Sequence, residues 1–177
     1  MTDTSLRDSY DETPFLKQTY VHVDGMATIA ALQGLRPAPV AACRVLELGC
    51  GSGSNLIAMA YGLPESRFLG IDLSAQQSAD GQATVAELGL PNVEIRQGDI
   101  LAVDDSFGPF DYIIAHGVYS WVPPVVREKV LSICRERLAP QGIAYVSYNV
   151  FPGWHPLLII REMLRYHTRD LCHPLER

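Results

Sequence analysis

Arg44-Val45-Leu46-Glu47-Leu48-Gly49-Cys50-Gly51-Ser52-Gly53-Ser54-Asn55 is the stretch whose reading decides the fold. An apolar run with one acid near its end breaks into glycines at alternate positions, and a helix-like segment from Leu56 to Tyr61 follows. A first parallel strand of a doubly wound sheet delivers a nucleoside-cofactor site in this way. Glycines let the turn adopt backbone conformations that other residues resist and let N–H groups approach a ligand closely. The helix N-terminus behind them favours an anionic ligand group.

The residues around the turn narrow the cofactor. The dinucleotide fingerprint is G-x-G-x-x-G. Here the third glycine arrives one residue early, and Ser54 stands in its place. A carboxylate at Glu47, just below the glycines, would repel a pyrophosphate but suits a cationic centre and an amino group. S-adenosylmethionine has both. The segment closely resembles the first motif of class I S-adenosylmethionine-dependent methyltransferases. That resemblance implies a Rossmann-like, doubly wound, mostly parallel α/β sheet. It also implies that Glu47 and the loop Gly49, Cys50, Gly51 and Gly53, with Asn55 behind it, hold the methionine part of the cofactor, with S-adenosylhomocysteine as product.

Composition bounds the reading. With 177 residues the chain is about one domain, and 47% hydrophobic residues fit a packed globular protein. No apolar run reaches the roughly 18 residues of a membrane span, and the polar N-terminus has no signal-like core, so no membrane association and a cytoplasmic location are expected. The four cysteines, Cys43, Cys50, Cys134 and Cys172, lack Cys-x-x-Cys spacing and read as reduced thiols. Neither they nor the histidines have metal-ligand spacing, so no metal is expected. A net charge of -6 argues against broad binding to a phosphate backbone.

Two regions are expected: an arm and helix over residues 1–40, and the Rossmann-like domain over 41–177. The arm contains Tyr10-Asp11-Glu12-Thr13-Pro14-Phe15, which reads either as surface chain or as a lid laying Tyr10 or Phe15 over the cofactor. From Asp24, read as an N-cap, a short helix runs to about Leu35 with Met26, Ile29, Ala30 and Leu32 on its apolar side. The second strand, Arg67 to Leu73, ends near Asp72, at close to the roughly 20-residue spacing at which an acid meets a ribose hydroxyl pair. Ser74 is a competing helix cap, and Gly89 a C-cap for the helix Ala75–Leu88. Val93 to Arg96 is the third strand, followed by Gly98-Asp99-Ile100. The fourth, Phe110 to Gly117, is apolar almost throughout and suits burial on both faces.

The carboxyl ends of such strands open on the ligand, so His116, Gly117, Val118, Tyr119, Ser120 and Trp121 are placed at the reaction. Pro123-Pro124 starts a helix to about Leu138. A turn at Pro140-Gln141-Gly142 leads to a fifth strand, Ile143 to Val150. A last helix from Pro156 carries Leu157, Ile160, Leu164 and Leu171 on one stripe, and Arg161, Arg165 and Arg169 on another. The arginine row reads as a solvated face or as a docking surface.

The resemblance to class I methyltransferases runs from Val45 to about Val150. It implies that Asp72, with Leu73, holds the ribose, that Asp99 and Ile100 hold the adenine, and that Tyr10, His116, Gly117 and Val118 complete the pocket. A narrower resemblance joins the Tyr10 segment, Val45 to Asn55, His116-Gly117-Val118-Tyr119-Ser120-Trp121-Val122-Pro123 and Tyr145 to His155 to bacterial methyltransferases that carry a methyltransferase regulatory domain. Some members of that group methylate lysines of bacterial surface proteins. The Asn/Asp-Pro-Pro-Tyr/Phe tetrad of nucleic-acid base methylases is replaced here by Ala115-His116-Gly117-Val118, which argues against a DNA base. The superfamily sheet has seven strands, and five are readable here. The expectation is an N-terminal catalytic portion or a short form, with a bare sheet edge that invites a homodimer or another partner.

The functional expectation is methyl transfer to an unidentified acceptor, a protein lysine or a small molecule. His116 is the nearest residue for a general base, with Tyr119, Tyr148 and His155 behind it. Two alternatives remain: an NAD(P)-dependent oxidoreductase, which leaves Glu47 and Asp99 without roles, and a non-catalytic scaffold or regulatory fragment that binds the cofactor without turnover.

Overall fold

A computed structural model describes residues 21–171. Five parallel strands form one sheet in the order β3-β2-β1-β4-β5. They are β1 (Arg44–Leu48), β2 (Arg67–Asp72), β3 (Val93–Gln97), β4 (Phe110–Ala115) and β5 (Leu138–Val146). The helices among the described residues are α1 (Val23–Leu32), α2 (Ser54–Gly62), α3 (Ala75–Leu88), α4 (Pro124–Arg137) and α5 (His155–His167). The chain order reverses between β1 and β4, which makes their carboxyl ends the place where such sheets take ligands. This is the Rossmann-like α/β architecture that the sequence led us to expect.

Alternation along the strands builds two cores. Val45, Phe68, Tyr112 and Ile114 face Val23 and Met26 of α1 and Leu56 and Met59 of α2. Leu46, Leu48, Ile71 and Ile113 face Val130 and Ile133 of α4. Glu47 shares the face of Val45, so its side chain enters the layer that contains α2.

Local signals held where local chemistry sets them. Ser74 caps α3, its hydroxyl accepting from Gln77 N–H, and Gly89 closes that helix in the left-handed conformation. Other boundaries moved. His22, not Asp24, is the residue preceding α1, and Asp24 sits in the first turn, where a carboxylate suits the helix dipole. The buried side of α1 is Val23, Met26 and Ala30, while Ile29 and Leu32 are 64% and 80% exposed, because fully buried Val23 fixes the rotation of the helix.

β4 stops at Ala115, because Gly117 takes a left-handed φ of 69°. β5 starts early. Leu138 pairs with Phe110 and Ile143 with Tyr112, so the Pro140-Gln141-Gly142 turn is a bulge inside the strand, with Gln141 at φ 66°. The strand ends at Val146 rather than Val150. α5 forms, but none of its residues is buried, and Leu157, Ile160 and Leu164 are 48–58% exposed. Its apolar stripe therefore lies on no core among the described residues. Among those residues no helix is long and apolar enough to cross a membrane, and no acidic, histidine or cysteine cluster could hold a metal ion.

Candidate active site

The site begins with the turn after β1. Gly49, Gly51 and Gly53 all have left-handed φ, at 70°, 57° and 72°. Position 53 requires glycine twice over: besides its φ, a Cβ there would overlap Ile95 Cδ1. At Gly49 a Cβ would overlap Val118 Cγ2, so the loop after β4 lies directly on the turn. The turn is anchored to β2 by its backbone. Gly49 and Cys50 N–H donate to Ile71 O at 2.8 and 3.1 Å, and Gly51 N–H donates to Asp72 Oδ2 at 2.7 Å.

Asp72 thus does two things at once. Its other oxygen, Oδ1, accepts from Ser74 N–H at 2.9 Å. A carboxylate oxygen can accept from more than one donor, which suits a ribose hydroxyl pair. Leu73 follows it, half-buried.

Glu47 is only 4% exposed. Burial pushes its carboxyl up to about 8, against the lowering pull of its bond from Asn55. Asn55 Nδ2 lies 3.4 Å from each Glu47 oxygen, and Asn55 also bonds both backbone groups of Val21. Among the described residues Asn55 is the hydrogen-bond partner of this buried carboxyl, a group whose ionised form suits a cationic ligand.

The remaining expected residues fall into three groups. Asp99 precedes a short 3-10 turn, Ile100–Ala102, and its Oδ1 accepts from Leu101 N–H at 2.8 Å. Its carboxylate therefore has a local structural task, and Ile100 packs at the edge of the α4 core. His116, Gly117 and Val118 follow β4 immediately. His116 is half-buried, and desolvation lowers its pKa from the usual 6.5, which favours the neutral imidazole. Gly117 faces open space, and Val118 is buried against Gly49. Tyr119 lies beneath the Arg127 guanidinium, 5.9 Å from the ring centroid. Tyr10 lies outside the described residues.

The structure also shows contacts that sequence reasoning did not foresee. Tyr145 stacks on His116 with centroids 5.9 Å apart, its hydroxyl 3.4 Å from Nδ1. Ser147 and Ser120 bond across the two loops beyond β4 and β5. Gln77 places Oε1 within 2.9 Å of where a Gly51 Cβ would stand. Tyr145 carried a weak signal, because strand alternation puts it next to the β4 end. Ser120 was expected at the reaction from its place after β4, but its bond from Asn149 and the bond from Gly117 to Ser147 carried no signal, since those partners are about thirty residues away in sequence.

Comparison with known proteins adds the family. A family model described as a methyltransferase domain matches residues 45–142. The chain is 42% identical over 170 residues to the Rickettsia prowazekii protein RP789 and 43% identical over 164 residues to RP028 of the same organism. These matches cover 95% and 92% of this chain, but only 31% of RP789 and 66% of RP028. The solved structure of PKMT2 from Rickettsia typhi in complex with AdoHcy is 42% identical, superposes with a TM-score of 0.82, and is matched over 89% of this chain and 31% of its own length.

Proposed function

The chain belongs to the class I methyltransferase domain family, and we propose on that premise that it transfers the methyl group of S-adenosylmethionine to a nucleophile. The observation that carries this reading is Glu47. It is a buried carboxyl at the end of β1, beside a left-handed glycine turn that is itself tied to Asp72. A dinucleotide pyrophosphate would hold this acid in its protonated form, whereas a sulfonium and an amino group would draw it into its ionised form as a partner. That PKMT2, at 42% identity, is seen with AdoHcy supports the choice of cofactor.

When bound, S-adenosylmethionine supplies an activated methyl carbon: the nucleophile's lone pair forms the new bond while the carbon–sulfur pair leaves with sulfur. The chain's own residues position and exclude water. Glu47 and the turn residues Gly49 to Gly53 receive the methionine end, Asp72 the ribose, and Asp99 with Ile100 the adenine. Val118 covers the turn from the acceptor side. The acceptor is a protein lysine or a small molecule, and the exposed β5 edge and α5 are surfaces for a second copy or another partner.

Desolvation favours the neutral imidazole of His116, which stands at the right strand end, yet an amine can lose its proton before attack without a dedicated base. His116→Ala is therefore expected to leave turnover within about tenfold of the unaltered chain. A larger loss, together with disappearance from the variant's pH profile of an ionisation on the acid limb of the unaltered chain's, would make His116 the base.

The deciding test is calorimetric titration with S-adenosylhomocysteine, with NAD in parallel and Asp72→Ala as control. Saturable binding of S-adenosylhomocysteine alone is expected, weakened at least about tenfold in the variant, which loses a charged acceptor. Binding of NAD alone would overturn the reading in favour of an oxidoreductase. Binding of S-adenosylhomocysteine without turnover on any acceptor would favour a scaffold.

A further inference from the structure

The loops after β4 and β5 carry both tryptophans of the chain and are tied to each other. Gly117 N–H donates to Ser147 Oγ at 2.8 Å, and Asn149 N–H donates to Ser120 Oγ at 2.7 Å. The two bonds are reciprocal: each loop offers one backbone donor and one hydroxyl acceptor. Ser147 N–H also donates to Ala115 O at 3.1 Å, so the tie starts at the strand ends. Two ring pairs run across the same gap. Tyr119 and Tyr148 have centroids 6.2 Å apart, and Trp121 meets Trp154 edge to face at 6.3 Å.

The other side of the post-β4 loop faces the glycine turn. Val118 is buried there against Gly49, and its carbonyl accepts from Trp121 N–H at 2.9 Å. One turn of chain, residues 118–121, therefore touches the cofactor loop at one end and the post-β5 aromatics at the other. Neither loop, from His116 to Pro123 or from Ser147 to His155, contains an acid, lysine or arginine. Ring faces and two serine bonds, rather than ion pairs, hold the loops in register.

Resting on the methyltransferase reading, we propose that Ser120 and Ser147 are positioning residues that lock the two loops, so that occupancy of the glycine turn is transmitted through Val118 to the Trp121–Trp154 pair on the acceptor side. Each bond alone is weak because water competes for it. The reciprocal pair is what fixes the loops, so losing either serine should free both tryptophans.

The two tryptophans supply a readout independent of turnover. S-adenosylhomocysteine is titrated into the full chain while tryptophan emission and heat are both followed. The unaltered chain is expected to show an emission change whose midpoint equals the calorimetric one. Ser120→Ala and Ser147→Ala are expected to bind within about threefold of it, yet to lose more than about half of the emission change, with Ser→Thr at either site restoring it. Val118→Ala approaches the link from the cofactor side and is expected to lose the emission change with both serines in place. Calorimetric binding with a full emission change in the alanine variants, or with none in the unaltered chain, would overturn the inference while leaving the cofactor reading intact. Absence of binding by the unaltered chain would overturn both.

Discussion

Glu47→Gln is expected to make the ligand-free chain more stable and to remove cofactor binding. The carboxyl is 4% exposed, and burial raises its pKa from 4.5 to about 8. Between those values the folded chain holds a proton that the unfolded chain has released. Stability therefore falls as pH rises from about 4.5 through about 8. Each pH unit in that window costs about 1.4 kcal/mol, so the native acid carries a penalty on the order of 3 kcal/mol at pH 7. The amide is a neutral isostere that can still accept from Asn55, and it does not titrate. The variant should melt roughly 5–10 °C higher than the native chain at pH 7, with the two curves converging near pH 4.5. Its affinity for S-adenosylhomocysteine should fall at least about a hundredfold, since a charged acceptor is lost in a buried site. Thermal melts from pH 4.5 to 9 and calorimetry at pH 7 check both halves. A melting curve no more stable than the native one would show that Glu47 is not a buried, strained acid. Unchanged affinity would remove it from the cofactor site. In the native chain the same acid must ionise when a cationic ligand enters, so binding should release a proton at pH 7, visible as a dependence of the measured heat on buffer.

The division between what the sequence disclosed and what it withheld follows the range of the interactions. The glycine turn, the Ser74 cap and the Gly89 stop were legible because a few neighbouring residues determine each of them. Glu47 was legible as chemistry, since an acid below a glycine turn restricts the ligand, but its pKa was not, because that depends on α2 covering it. The side of α1 that packs was misread at Ile29 and Leu32. Helical periodicity admits several faces, and only the docking of Val23 selects one. β5 was misread at both ends. Its start depends on Leu138 reaching Phe110 across a bulge that local propensity reads as a turn, and its end depends on Ser147 turning its hydroxyl to Gly117. The stripe on α5 had the periodicity of a buried helix with nothing among the described residues to bury it. Asp99 fitted its expected position, yet the structure adds a local capping bond that spacing alone could not distinguish from a ligand contact.

Gly81→Ala tests how the glycine turn is supported from below. In most helix interiors this change helps, by about 1 kcal/mol, because alanine loses less backbone freedom on folding. Gly81 lies in α3 where a Cβ would come within 2.6 Å of Ser52 O and 3.0 Å of Ser52 C. Those are backbone atoms, so they cannot rotate away as a side-chain end could. Ser52 stands between Gly51 and Gly53, and the overlap can be relieved only by moving α3 away from the sheet or by moving the turn itself. Overpacking of this kind costs about 1–3 kcal/mol and outweighs the gain in propensity. The variant should melt about 3–6 °C lower, and its affinity for S-adenosylhomocysteine should drop about tenfold or more, because the displaced turn carries Gly51 away from Asp72. Gly25→Ala is the matched control. Gly25 lies in α1 with nothing within 4 Å of the added methyl, so the same substitution should stabilise by a few tenths of a kcal/mol and leave affinity unchanged. If both substitutions stabilise, α3 is not what holds the turn in place. If Gly81→Ala alone destabilises while affinity stays intact, the turn tolerates displacement and the cofactor is held mainly by Glu47 and Asp72.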